Sequence, residues 1–269
     1  MKTVLVTGGT SGIGRVAARE LKAKGFRVVV VGRDPQRLKA MNGFETIQAD
    51  LSLVRETRRA AREFRERIGT LDVLLNNAGA IYGEYGETAE GIERTFALDH
   101  LAYFVMTEEL LPLLRESRGR VVSVSSDAHK AGRLDFDDLQ LKRRFSGARQ
   151  YCNAKLMNIL FARELARREP DITSNALHPG AIASGFGMTG AAGRIGWIFK
   201  LARPFLISEE KGAQTSIWAA SDPSLDGVTG KYFVKKRVRN PIAAARSDEN
   251  ARRLWEATEV IVRGIPPSP

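Results

Sequence analysis

Residues 27–32, RVVVVG, hold four consecutive valines, and a strand that is apolar at every inner position is buried on both faces. Such burial requires helices packed above and below a sheet, and the rest of the chain supplies them. Strand-like runs recur at 4–7 (VLVT), 45–50 (ETIQAD), 71–77 (LDVLLNN), 119–126 (GRVVSVSS), 172–179 (ITSNALHP) and 231–234 (KYFV). Between and after them lie helical stretches near 13–24, 35–41, 53–68, 92–116, 151–168, 191–206, 208–221 and 247–263. The alternation predicts an α/β fold, a single doubly wound Rossmann-type domain over 1–264 with about seven parallel strands and helices on both faces. The closing GIPPSP predicts a flexible tail at 265–269.

The net charge of +11 raises the question of an anionic partner. Much of the excess is arginine in stretches such as 55–67, RETRRAAREFRER, where carboxylates are interleaved at helical spacing. That is the pattern of a solvated helix face, and no zinc-finger spacing or aromatic RNA-binding signature accompanies it, so no nucleic-acid partner is expected. Three histidines and one cysteine without ligand spacing predict no metal site. MKTVLVT reads directly as a strand rather than a signal peptide, and no run approaches a membrane span. Cys152 cannot form an internal disulfide, which suits a cytoplasmic location. A monomer or homodimer is expected.

The first strand runs into Thr7-Gly8-Gly9-Thr10-Ser11-Gly12-Ile13-Gly14, and a helix follows at once. Glycines at 8, 12 and 14 permit a tight turn, close backbone approach to a pyrophosphate and close helix–strand packing. The helix N-terminus adds free N–H groups and a favourable dipole. This turn, Asn76-Asn77-Ala78-Gly79 after the fourth strand, Tyr151-Cys152-Asn153-Ala154-Lys155 opening a helix and His178-Pro179-Gly180 after the sixth strand together resemble the short-chain dehydrogenase/reductase family. The motifs follow the family's order over essentially the whole chain.

The resemblance implies a nicotinamide cofactor bound by Gly8, Thr10, Ser11, Gly12, Ile13 and Gly14 at the turn. It further implies Asp50 and Leu51 at the adenine, and Asn77, Ala78 and Gly79 along the adenosine. Pro179 and Gly180 join the cofactor set, with Ile182 and Ser184 at the carboxamide. After the second strand, Arg33 stands where an NAD-specific site usually has an acid, and its always-charged fork suits a 2′-phosphate. NADP(H) is therefore expected, with Arg37 as a second candidate contact and Asp34 as the residue that would instead serve NAD.

Hydride delivery to a carbonyl leaves an alkoxide that needs a proton donor. Tyr151 and Lys155 are four apart on a helix and share a face, and a nearby ammonium makes a phenol a better acid. The resemblance makes Tyr151 the acid/base, Lys155 the residue that also holds the nicotinamide ribose, and Ser126 the residue that binds the substrate oxygen, with Ser125 as the alternative. The family usually has Asn in FALDHL (96–101), where this chain has Asp99; Asp99 is placed with the catalytic set, able to pair with the lysine or to perturb Tyr151. His100 and His129 are expected as a helix-packing and a loop histidine.

Segments 121–132, 136–168, 210–223 and 227–234 are similar to the retinol dehydrogenase-like branch, which neighbours the light-dependent protochlorophyllide reductases. The apolar, glycine-rich stretch 185–206 lies where the family places a substrate lid; a packed helix or a membrane-surface helix are its other readings. The expected reaction interconverts an aldehyde or ketone and an alcohol on a small apolar substrate. The alternatives are a tailoring ketoreductase of a polycyclic or polyketide ketone, and a non-catalytic NADP(H) sensor or scaffold.

Overall fold

A computed structural model describes residues 1–180 and 207–266. The sheet is built from β1 (Thr3–Thr7), β2 (Arg27–Gly32), β3 (Glu45–Gln48), β4 (Val73–Asn76), β5 (Arg120–Val124), β6 (Thr173–His178), β7 (Tyr232–Val234) and β8 (Arg237–Arg239). Its order is β3-β2-β1-β4-β5-β6-β7-β8. Every neighbouring pair is parallel except β7 and β8. The order reverses between β1 and β4, so the loops leaving their carboxyl ends diverge and open the crevice where such sheets bind ligands.

The expectation of about seven parallel strands thus meets a sheet of eight, the last antiparallel. β8 was invisible in the sequence because RVR is charged and exposed, with no buried face to pattern it. It forms because Lys235 and Lys236 take φ of 51° and 59°, the left-handed geometry of a tight hairpin, without the usual glycine or asparagine.

The valine runs divide between two cores by strand alternation. Val29 and Val31 face one side with Leu5, while Val28 and Val30 face the other with Val4 and Val6. Helices α1 (Gly12–Ala23), α2 (Pro35–Lys39) and α7 (Glu209–Ser221) cover the second core through Leu21, Leu38 and Ile217. The first is covered by α3 (Val54–Arg67), α5 (Ala102–Ser117), α6 (Gly147–Arg168) and α9 (Asp248–Arg263). Phe161 of α6 stacks on Trp255 of α9 with centroids 5.8 Å apart. The short α8 (Ala243–Arg246) precedes α9.

The long helix expected near 92–116 is in fact three pieces. The turn α4 (Arg94–Phe96) passes through a π-helical stretch, Ala97–Leu101, into α5. Such π turns commonly mark functional sites. Ile265, expected in the tail, is buried, and its carbonyl accepts from Arg58 at 2.8 Å. Among the described residues no helix is long and apolar enough to cross a membrane.

Candidate active site

Where β1 meets α1, Gly8 and Gly12 hold φ of +65° and +55°, which L side chains rarely adopt. A Cβ on Gly8 would stand 2.8 Å from the Ala78 Cα, and one on Gly14 would run into the Asn77 side chain and the Gly8 carbonyl. The glycine turn and the NNAG segment are therefore one packed unit. The Asn77 amide donates to the carbonyls of Thr7 (2.9 Å) and Gly8 (3.3 Å), and the Thr7 hydroxyl accepts from the backbone N–H groups of Asn77 (2.9 Å) and Ala78 (3.1 Å). Thr10 packs against Gly32, and Ile13 against the core under α1.

Ser11 precedes α1 in an extended conformation without its side chain capping the helix, and the first turn carries no acid. A Cβ on Gly12 would meet nothing within 4 Å. N–H groups left uncapped at a helix N-terminus, with open space over Gly12, fit the diphosphate of a dinucleotide.

At the end of β2 the two charged neighbours divide. The Asp34 carboxylate caps α2, accepting from the N–H groups of Gln36 (2.9 Å) and Arg37 (3.2 Å), and it lies 3.4 Å from the Arg37 guanidinium. The Arg33 side chain is 64% exposed and reaches 3.5 Å from Asp50, which itself accepts from the Ser52 N–H and hydroxyl. Arg33 and Asp50 line two adjoining grooves of about 510 and 320 Å³. The second is also lined by Tyr82 and Arg94, whose guanidinium sits 4.6 Å from the Tyr82 ring centroid. Neither residue was singled out from the sequence, since loop 79–93 carries no motif beyond NNAG. Leu51 lies buried in the core, and Leu53 is the leucine that lines the grooves.

Helix α6 starts at Gly147, four residues ahead of the tyrosine expected to open it, capped by the Ser146 hydroxyl on the Arg149 N–H. It presents Tyr151 and Lys155 one turn apart, with the Lys155 Nζ 5.2 Å from the Tyr151 ring centroid. That ammonium is 2.7 Å from the Asp99 Oδ2, and both side chains are buried. The other Asp99 oxygen accepts from the Ala80 N–H at 2.8 Å. A Cβ on Gly79 would meet the carboxylate at 2.9 Å, so the NNAG segment packs directly on Asp99.

The two serines at the end of β5 also separate. The buried Ser125 hydroxyl donates to the Lys155 carbonyl at 2.6 Å, tying strand to helix. Ser126, half-buried, accepts from the Ala128 N–H at 3.2 Å, and its hydroxyl lies near enough to Tyr151 to favour the phenolate. Burial pushes Tyr151 above the usual phenol range, Lys155 pulls it back, Asp99 pushes it up again, and Ser126 pulls it down; the net is upward. Burial works against the Lys155 ammonium, but Asp99 and the neighbouring phenols outweigh it and hold the lysine protonated. Burial likewise pushes the Asp99 carboxyl up, against the pull of Lys155.

His100 bonds the Thr258 hydroxyl at 2.9 Å inside the helix layer, where burial drops its pKa to about 3. His129 is not on an open loop: it is fully buried on a 3-10 turn (Asp127–Ala131) against Tyr232. Pro179 and Gly180 follow β6, and Gly180 has φ of +109° against the Ile207 side chain. Ile182, Ser184 and the stretch 185–206 lie outside the described residues.

Residues 2–193 match the family model described as short chain dehydrogenase. A Streptomyces sp. (strain C5) protein provisionally named daunorubicin C-13 ketoreductase DnrU is 37% identical, over 97% of this chain and 92% of its own length. Retinol dehydrogenase 14 of Mus musculus is also 37% identical, over 97% of this chain and 86% of its own. Among solved structures, a short chain dehydrogenase from Burkholderia cenocepacia in complex with NADP superposes with a TM-score of 0.68 at 25% identity, covering 86% of this chain and 95% of that one. The chain therefore belongs to the short-chain dehydrogenase/reductase family, as an oxidoreductase similar to the retinol dehydrogenases.

Proposed function

We propose that this protein is an NADP(H)-dependent oxidoreductase that interconverts a carbonyl and an alcohol on a small apolar substrate. The observation that carries the reading is the convergence of Ser126, Tyr151 and Lys155 at the carboxyl edge of the sheet, beside the glycine turn. Bound nicotinamide would supply or accept the hydride. Lys155 and the NNAG segment would orient its ribose and adenosine, and the uncapped N–H groups of α1 would take its diphosphate.

In the reductive direction the Ser126 hydroxyl holds the substrate oxygen while Tyr151 gives it a proton. Ser125 is engaged with the Lys155 carbonyl, which favours Ser126 for the substrate. NADP(H) is favoured over NAD(H) because Asp34, the acid that would serve a free ribose, is committed to capping α2, while Arg33 extends into the groove. The similarity to a Streptomyces relative named as a ketoreductase supports a second reading, a tailoring enzyme for a polycyclic or polyketide ketone. A single cysteine fits a reducing, cytoplasmic location.

NADPH oxidation followed against a broad carbonyl panel, beside the Tyr151→Phe variant, tests the reading. Turnover that drops roughly a hundredfold or more in the variant, with NADPH binding kept, is expected. Tight NADPH binding without turnover on any carbonyl would instead identify a cofactor sensor.

A further inference from the structure

The usual contribution of a lysine beside a phenol is its charge, which stabilises the phenolate. Here that charge is not isolated. Asp99 sits 2.7 Å from the Lys155 ammonium, and both groups are buried away from solvent. The carboxylate is fixed there: its second oxygen is held by the Ala80 N–H, and Gly79 packs against it. What Tyr151 meets is a fixed ion pair, whose field falls off faster with distance than that of a lone ammonium.

Among the described residues, the other groups near Tyr151 carry no positive charge that would replace it. Cys152 on the same helix is a thiol pushed up by burial, and Ser126 at the end of β5 is neutral. Tyr103 of α5 is buried with its hydroxyl directed at the Val124 carbonyl. Asp127, on the turn after β5, pairs with Lys130 at 2.9 Å, and burial holds His129 and His178 below the ordinary histidine range.

The two directions of the reaction need opposite forms of Tyr151. In reduction the carbonyl carbon gains a hydride from reduced nicotinamide and its oxygen takes the Tyr151 proton, leaving a phenolate that regains a proton from solvent. In oxidation the alcohol gives its proton to the phenolate and its hydride to oxidised nicotinamide. We propose that the Asp99–Lys155 ion pair sets the pH at which this site changes from proton donor to proton acceptor: by offsetting the lysine's charge it keeps Tyr151 a neutral proton donor at neutral pH, the form that carbonyl reduction uses. Asp99 acts through Lys155 and is a positioning residue. The inference rests on the reading of Tyr151 as the acid/base.

Phenolate formation followed by ultraviolet difference absorbance, with the Tyr151→Phe signal subtracted, reports Tyr151 without any turnover. In Asp99→Asn, which keeps the side-chain shape but removes the charge, the Tyr151 midpoint is expected to fall by about one pH unit or more. The pH at which alcohol oxidation reaches half its maximal rate is expected to fall by a similar interval, and Asp99→Ser should move both readouts in the same sense. Turnover with an unmoved midpoint and an unmoved oxidation pH profile in both variants overturns the inference. A moved midpoint with no turnover on any carbonyl or alcohol overturns the oxidoreductase reading instead. NADPH binding by each variant verifies that the site is folded.

Discussion

The Asp34 carboxylate accepts the backbone N–H of Arg37 at 3.2 Å, closing the first turn of the helix that follows β2. An acid at this place in a dinucleotide fold ordinarily serves the adenosine ribose. Here its lone pairs are directed into its own helix, and its neighbour Arg33 lines the groove together with Asp50, Glu56, Arg59 and Glu63.

Arg33→Ala should therefore weaken NADPH binding by about 10- to 100-fold, the loss expected when a charge-assisted contact to phosphate is removed. NADH binding should change by no more than a few-fold. Titration of both cofactors by fluorescence or calorimetry checks this; equal losses would remove Arg33 from the phosphate site. Asp34→Ala should cost about 1 kcal/mol of stability through the lost cap and leave cofactor preference in place.

Gly14 lies inside α1, where alanine would ordinarily stabilise a helix by up to about 1 kcal/mol. The sign should reverse in this chain, because the added Cβ meets the Asn77 amide and the Gly8 carbonyl. Gly14→Ala is expected to lower the denaturation midpoint and weaken NADPH binding together, since both depend on α1 approaching β4 closely. A variant as stable as the parent, with unchanged binding, would show that the turn relaxes freely.

The adjacent serines should give opposite phenotypes. Ser125→Ala removes a buried hydrogen bond to the Lys155 carbonyl and should cost about 1–3 kcal/mol in chemical denaturation. Ser126→Ala should leave stability within about 1 kcal/mol and lower kcat by at least about tenfold. Were Ser125→Ala the variant that lost turnover at full stability, the two roles would be exchanged.

How far these residues were legible follows from what each one leaves in the sequence. β2 was read to the residue because consecutive valines are rare outside a strand buried on both faces. The glycine turn and NNAG were legible as motifs, but not their mutual packing through Asn77, since a side-chain amide bonding two carbonyls leaves no pattern. Asp99 could be seen only as a departure from the family's asparagine. The π turn that places it is hidden within FALDHL, whose apolar spacing reads as ordinary helix. Tyr82 and Arg94 meet through a loop and left no periodic trace. β8 is specified by a hairpin of two lysines and an exposed RVR, where neither turn residues nor burial mark a strand.

His100 supplies the pH dependence of the fold itself. Its ring is fully buried, and burial lowers its pKa from 6.5 to about 3, so the folded protein keeps it neutral where the unfolded chain protonates it. The unfolded state then binds more protons between those two values, and stability must fall as pH falls through 6.5 toward 3. At pH 5 this one group should already cost about 2 kcal/mol relative to pH 7, from 1.5 units at 1.36 kcal/mol each. Its slope dies away above about pH 8, where the unfolded histidine is neutral as well. Urea denaturation at pH 7 and pH 5 measures the difference, and His100→Gln, which can still bond the Thr258 hydroxyl, should flatten it even if the variant is less stable overall. Equal slopes in the two proteins would mean that His100 becomes protonated within the fold, with the helix layer around Thr258 opening enough to hydrate it.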